Sequence, residues 1–485
     1  MPARTGQDYI KGLQEQPREV WIDGQRIADV TTHPALCHGV HSIAALYDMQ
    51  HAPNLRDEMT YRSPASGHPV GLSFIVPRSL EDVQRRGQMM LHWARASCGM
   101  MGRSPDFLNV NFAAWSAASD YFARNRTEFK TNIERYYEYI REHDLTLTHA
   151  LINLQRQRSP SGGQHLSEET ALRVVRETDA GIIVKGSRVL ATLGPISDEI
   201  AVYSPRLRKM SEGSSPYALN FSIPCGTPGV RFLCRESFDL GRSHFDHPLG
   251  SRFEEMDAVV FFDNVLVPWE RVFLLGDVDL VNDTAVATHS HVHTAHQGAA
   301  KNIAKSELML GVALLMAETL GSTQVPHVQE RLAELMVHTE VMKASLRAAE
   351  VDATLDRWGV MCPAGLPLEV IRTLFMNVYP RMVEILQLMG SSSFMIIPSE
   401  ADFQSALKPE IEQYLATDSA SARERVKLFR LAWDMACSAF AGRQVLYERF
   451  FAGDPLNRAQ FLYNIYPKEA LMERIREFLA QGEEA

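Results

Sequence analysis

The chain has 485 residues, 45% hydrophobic and 22% charged, with a formal net charge of −10. That balance excludes a largely disordered chain, and an acidic excess without a Lys/Arg cluster excludes a nucleic-acid surface. The first twenty residues are polar and lack a signal peptide's apolar stretch, and the longest apolar run, 308–317, is about half of a membrane span. The sequence thus predicts a cytoplasmic protein, off the membrane, whose length calls for two or three domains.

Residues 79–96 and 126–142 are rich in Arg, Glu, Gln and Met and nearly free of Gly, which predicts helices. The text changes after 145. Residues 182–184 and 189–190 flank Lys185-Gly186-Ser187 and predict two strands around a tight turn. Short apolar runs at 217–223, 230–234 and 259–262 predict further strands. Beyond 276 the period returns to 3.6: Val328, Leu332, Leu335, Met336, Met342 and Leu346 fall on one face of a helix starting beyond Pro326. Similar patterns cover 301–320, 366–390 and 423–450, and the run 308–317 reads as buried helix. The expected fold is α+β, mainly α. It comprises an N-terminal helical domain (1–145), a middle antiparallel, barrel-like β domain (146–275) and a C-terminal helical bundle (276–485).

The common dinucleotide, P-loop, serine-hydrolase and zincin motifs do not occur. Six cysteines stand singly, which predicts free, mostly buried thiols and argues against a zinc ribbon or iron–sulfur cluster. His289, His293 and His296 would share one helical face, with His291 beside them. The only carboxylate near them is upstream Asp283, so the expectation is that no metal binds.

Eight segments in order resemble the 4-hydroxyphenylacetate 3-hydroxylase family, the oxygenase component of two-component FAD-dependent monooxygenases. They are DVTTHPAL (29–36), MMGRSPDFLN (100–109), LTHALIN (147–153), ETDAGIIVKGSRVLAT (177–192), IPCGTPGVRFLCRESFD (223–239), HFDHPLGSRFEEMDAVVFFDNVLVPWERVF (244–273), YPRMVEILQLMGSSS (379–393) and GRQVLYERFFAGDP (442–455). The resemblance implies an acyl-CoA-dehydrogenase-like fold that assembles as a homotetramer.

It also implies site residues. Arg103 stands at a substrate contact, where a permanent guanidinium charge stabilises a phenolate oxygen; the plainer alternative is a surface pair with Asp106. Phe107 occupies a position at which phenylacetate hydroxylases carry a substrate-binding Tyr, and so leaves an aromatic wall without that donor. His149 matches a histidine between flavin and substrate, suited to donate or accept near neutral pH. Flavin contacts are implied at His149, Ala150 and Leu151, at Gln155, Arg156, Gln157 and Arg158, at Thr192, and at Arg449, Phe450 and Phe451. The stretches LQRQR (154–158) and CSAFAG (437–442) depart from the usual PxxDR and GSEFGG. His296 lies where some chlorophenol hydroxylases of the family use a histidine as substrate base. Loop 206–216 is expected at the substrate entrance.

The implied reaction uses FADH2 delivered by a separate NAD(P)H:flavin reductase, and O2, to hydroxylate a small phenol ortho to its hydroxyl, with 4-hydroxyphenylacetate the default. Alternatives are a halophenol or pathway-specific phenol monooxygenase of the same family, an acyl-CoA-dehydrogenase-like flavoenzyme, and a non-catalytic flavin-binding protein.

Overall fold

The computed structural model describes residues 3–154, 166–206, 209–211, 213–239 and 241–481. Helices come first, because the chain supplies start signals ahead of amphipathic stretches. Ser79 caps the helix Leu80–Ala96 in a capping box with Asp82, each side chain taking the other's backbone N–H. The second predicted helix is Thr127–His143, ended by Asp144 in the left-handed region at φ 50°.

Two sheets follow. The larger has seven strands and runs Gln25–Arg26, Glu19–Ile22, Val230–Cys234, Ala258–Pro268, Gly181–Val189, Ile152–Asn153, with Arg173–Thr178 also on Gly181–Val189. The smaller runs Val272–Leu275, Leu219–Pro224, Glu199–Val202, Leu147–Ala150. Pairing is antiparallel apart from one parallel pair in each, Glu19–Ile22 on Val230–Cys234 and Leu147–Ala150 on Glu199–Val202. The N-terminal segment therefore lends two strands to the middle sheet.

One sequence expectation is overturned here. Residues 181–189 form a single strand, with no turn at Lys185-Gly186-Ser187. Gly186 has φ +131°, and a Cβ there would lie 2.4 Å from the Ala171 carbonyl oxygen. The glycine serves a close backbone approach.

Beyond 276, the helices Ser290–Thr319, Pro326–Val351 and Gly365–Gly390 pack on one another and bury a second apolar core that includes Leu332, Leu335, Met342, Phe375 and Met382. Ser290–Thr319 also packs on Leu80–Ala96 and Asp106–Ala117, so it ties the bundle to the N-terminal helices. Three details differ from expectation. Met336 is 42% exposed, and Leu314 and Leu315 are exposed within the run expected to be buried. The pattern 423–450 is two helices, Ala422–Ala436 and Ala439–Phe450, the second restarted by the Ser438 side chain accepting from the Ala441 N–H. All six cysteines are free, but only Cys225, Cys234 and Cys362 are fully buried. Among the described residues, no helix is long and apolar enough to cross a membrane.

Candidate active site

Arg103 sits in the turn before the helix Asp106–Ala117, and His149 on the strand Leu147–Ala150. The fold brings them together around Phe107. The Arg103 guanidinium carbon lies 4.0 Å from the Phe107 ring centroid, and the Phe107 and His149 rings are 5.5 Å apart. The Tyr203 hydroxyl approaches His149 Nδ1 at 3.4 Å. Burial, with the Arg103 charge nearby, holds His149 well below the usual histidine range, so the ring stays neutral at pH 7 and one nitrogen remains an acceptor.

Arg103 is fixed from behind by residues that sequence reasoning did not single out. Its Nη1 donates to the Tyr447 hydroxyl at 2.8 Å, and its backbone N–H donates to Glu255 Oε1 at 2.8 Å. Tyr447 stacks on Phe451 one turn later, 5.0 Å apart and 4° from parallel. Gly102 makes room for this: a Cβ there would fall 2.1 Å from the Tyr447 hydroxyl. Asp106 turns away from Arg103 and accepts instead from Ser104 (2.6 Å) and Gln297 (3.3 Å); burial raises its carboxyl to about 6.

Beside this cluster a cavity of about 850 Å³ opens between the larger sheet and the helix Ala439–Phe450. Arg103, His149, Leu151, Thr192, Phe450 and Phe451 line it, with Tyr447, Asp257, Arg235 and Arg443. The Asp257 carboxylate accepts from Thr192 Oγ1 at 2.8 Å, from Arg443 at 2.9 and 3.0 Å, and from Arg235 at 3.0 Å. Against the penalty of burial, these arginines hold Asp257 well below the usual carboxylate range. Arg443 also reaches Glu255 at 2.8 Å, so one ionic network joins the sheet, the C-terminal helix and the backbone of Arg103. Tyr447 and Arg443 both fall in the quoted segment 442–455, but only the close approach of that helix to Gly102 reveals their part.

The remaining predicted site residues divide. Ala150 is buried in its strand and does not line the cavity, and Arg449 is exposed and turned away. Gln155, Arg156, Gln157 and Arg158 lie outside the described residues, as do 207, 208 and 212 of loop 206–216. His296 is not among the residues lining the cavity: it is fully buried, with Nε2 2.8 Å from Glu350 Oε1. The neighbouring histidines turn to separate partners, His289 to Asp356, His291 to the Ala285 carbonyl and His293 to Arg86. Among the described residues, no three His, Cys, Asp or Glu side chains are grouped to hold a metal ion.

A helical bundle set against a mostly antiparallel β domain, with an arginine and a neutral histidine at the edge of a cofactor-sized cavity, is the architecture of the acyl-CoA-dehydrogenase-like fold in its oxygenase form. The match is specific. Family models for the 4-hydroxyphenylacetate 3-hydroxylase N-terminal and C-terminal regions cover residues 5–274 and 281–480, and the chain belongs to this family. It is 47% identical to the 4-hydroxyphenylacetate 3-monooxygenase oxygenase component of Thermus thermophilus, over 99% of this chain and 98% of that one. It is 40% identical to a probable 4-hydroxyphenylacetate 3-monooxygenase of Bacillus subtilis, over 98% of each. A crystal structure of such an oxygenase complexed with FAD and 4-hydroxyphenylacetate superposes with a TM-score of 0.94 at 46% identity, over 99% of each chain. An archaeal 4-hydroxybutyryl-CoA dehydratase shares the fold, with a TM-score of 0.88 at 17% identity, over 99% of this chain and 95% of that one.

Proposed function

We propose that this chain is the oxygenase of a two-component monooxygenase, hydroxylating 4-hydroxyphenylacetate or a similar small phenol ortho to its hydroxyl. Reduced FAD comes from a separate NAD(P)H:flavin reductase. The reaction balances as phenol, O2 and reduced flavin going to catechol, water and oxidised flavin.

The observation that carries this reading is the convergence of Arg103 and a neutral His149 at the wall of the cavity. The cavity fits the flavin. Leu151, Ile152, Leu190, Val259, Leu446 and Phe450 give it apolar faces for a flat ring system. Bound there, reduced flavin and O2 supply the oxygen atom that enters the ring. Arg103 holds the phenolic oxygen and favours its ionised, electron-rich form. Neutral His149 is placed to take or return that proton. Phe107 and Tyr203 close the inner side and keep water out.

The chain acts as a homotetramer in the cytoplasm. Apolar side chains left uncovered on the bundle support assembly: Val337 is 60% exposed, and the helix Glu469–Ala480 buries no residue yet carries Leu471, Ile475, Phe478 and Leu479.

The test is coupling. Losing one donor to developing charge in a dry site costs roughly 10²–10³ in rate, so Arg103→Ala and His149→Ala should each lose that much catechol formation while O2 is diverted to hydrogen peroxide. Phe107→Tyr should be tolerated. Wild-type coupling of O2 use to catechol in both alanine variants would refute the assignment.

A further inference from the structure

Phe107 and Tyr203 both pack against His149, but only Tyr203 carries a hydrogen-bonding group. Its ring lies 5.8 Å from the His149 ring, edge-on at 69°, and its hydroxyl comes within 3.4 Å of Nδ1. The sheet register puts it there. His149 stands opposite Ala201 in the parallel pair of Leu147–Ala150 and Glu199–Val202. Residues two apart along a strand share a face, so Tyr203, one step beyond that strand, projects on the face that carries His149. Ala201 between them is small and leaves the two rings room to meet.

Tyr203 is braced from behind. Trp115 meets its ring edge-on at 5.1 Å, and Trp115 Nε1 donates to Ser290 Oγ at 3.2 Å, which ties the stack to the helices Asp106–Ala117 and Ser290–Thr319. Among the described residues, the Tyr203 hydroxyl has no hydrogen-bond partner besides His149. Burial, against the nearby Arg103 charge, raises it above the usual tyrosine range and keeps it protonated. His149 lines the 850 Å³ cavity and Tyr203 does not. Nδ1 is therefore engaged on the supporting side, and Nε2 is the nitrogen left for the reacting side.

We propose that Tyr203 is a positioning residue for the reaction, its hydroxyl holding Nδ1 of His149 so that Nε2 faces the phenolic oxygen. This rests on the functional reading above and deepens it. A hydroxyl both donates and accepts. It accepts from Nδ1–H while Nε2 is bare or the ring is charged, and donates to Nδ1 when the single hydrogen sits on Nε2, so it holds the ring through each protonation state. A carboxylate at this point would favour the imidazolium before any phenol arrived. The neutral hydroxyl leaves Nε2 free to take the phenolic proton: the O–H bond breaks, an N–H bond forms, and the electron pair stays on the phenolic oxygen.

The test is a double-mutant cycle in the full-length enzyme, supplied with reduced FAD and 4-hydroxyphenylacetate. Tyr203→Phe keeps the ring against Trp115 and removes only the oxygen. It should lower catechol formed per O2 by about 3- to 10-fold, the range of one neutral hydrogen bond, with the missing O2 recovered as hydrogen peroxide. Placed on His149→Ala, the same change should cost no more than about twofold, because its effect runs through His149. A packing role predicts the reverse: Tyr203→Phe is silent, or its loss is the same in both backgrounds, as general damage to the fold would also make it. Either result would overturn the proposal. If wild type forms catechol and the cycle is additive, the functional reading stands and only the role of Tyr203 falls. If wild type forms no catechol from this or another small phenol, the functional reading falls with it.

Discussion

The C-terminal wall of the cavity rests on a buried charge triad whose removal has a calculable cost. Glu448 is fully buried and accepts from Lys305 Nζ at 2.5 Å and from Lys301 Nζ, and Lys305 also donates to Gln444 at 2.8 Å. One carboxylate neutralises one ammonium. Burial, with Lys305 alongside and against the pull of Glu448, brings Lys301 down to about 7, so at pH 7.5 it is largely neutral and Lys305 keeps the ion pair. Glu448→Gln preserves shape and removes the charge, which leaves Lys305 two choices. An unpaired buried ammonium costs about 3–5 kcal/mol; giving up its proton at pH 7.5, from a reference near 10.4, costs about 4 kcal/mol. Both routes converge on a loss of about 3–4 kcal/mol. The second cost shrinks by about 1.4 kcal/mol per pH unit, because the unfolded state then holds the extra proton, so the loss should fall to about 2 kcal/mol at pH 9. Lys301→Met removes a group already neutral and should cost under about 1.5 kcal/mol. Urea midpoints at fixed chain concentration measure all three. A Glu448→Gln effect below about 1 kcal/mol at pH 7.5, or one that does not shrink by pH 9, would refute this account.

Two further outcomes follow from the same geometry. Gly102→Ala places a Cβ 2.1 Å from the Tyr447 hydroxyl, so Tyr447 must swing away and release Arg103; catechol formed per O2 should drop at least about tenfold, and Tyr447→Phe, which loses one hydrogen bond to a charged group and keeps the ring, should fall by less. Unchanged coupling in Gly102→Ala would show that Tyr447 does not position Arg103. Acid should destabilise the protein below about pH 6.5, because His149, His291, His293 and His296 are all lowered by burial and stay neutral in the fold while the unfolded chain binds protons. Their contribution is complete above the unfolded value and is lost as pH falls; for His291, lowered to about 3, the loss at pH 5 is about 2 kcal/mol. Asp106, raised to about 6, works in the opposite sense between its unfolded value and 6, as do Asp144, Glu199, Asp239 and Glu254, which burial also raises, so the carboxylates offset part of the histidine loss. A urea midpoint that does not fall between pH 7 and pH 5 would contradict these neutral histidines.

Local signals were readable wherever the chain itself sets the structure. The nearly Gly-free stretch 79–96 marks a helix to within one residue of its observed start at Leu80, and the short apolar run 230–234 marks a strand with the same bounds. Gly186 misled because a glycine required by the Ala171 backbone looks, in sequence, like one required by a turn. The strands Glu19–Ile22 and Gln25–Arg26 were missed because the first pairs in parallel with residues 231–233, more than two hundred positions away. Leu314 and Leu315 read as core because periodicity reports an apolar face without saying what covers it. Arg103 and His149 were legible only as members of motifs, since a loop arginine and a strand histidine have no common spacing. Tyr447, Arg443 and Asp257 gain their roles only when the last helices close on the turn before Asp106–Ala117.

That closure explains why so much charge is buried around a cavity with mainly apolar walls. In the proposed reaction Arg103 offers a permanent cation to a phenolic oxygen while standing against Phe107 and Phe451, where a guanidinium free to move would turn toward a neighbouring carboxylate. Glu255, the carboxylate bonded to its main chain, is already occupied: one oxygen takes the Arg103 backbone N–H and the other takes Arg443. Arg443 is in turn spent on Asp257, which also engages Thr192 and Arg235. The network thus anchors the Arg103 main chain without, among the described residues, a carboxylate bond to its guanidinium, which donates instead to the neutral Tyr447 hydroxyl and the Gly102 carbonyl. A cation held by neutral groups keeps its charge for an incoming anion, whereas one paired to an acid would already be neutralised. Burying this network on the supporting side is how the fold leaves an available positive charge on the reacting side.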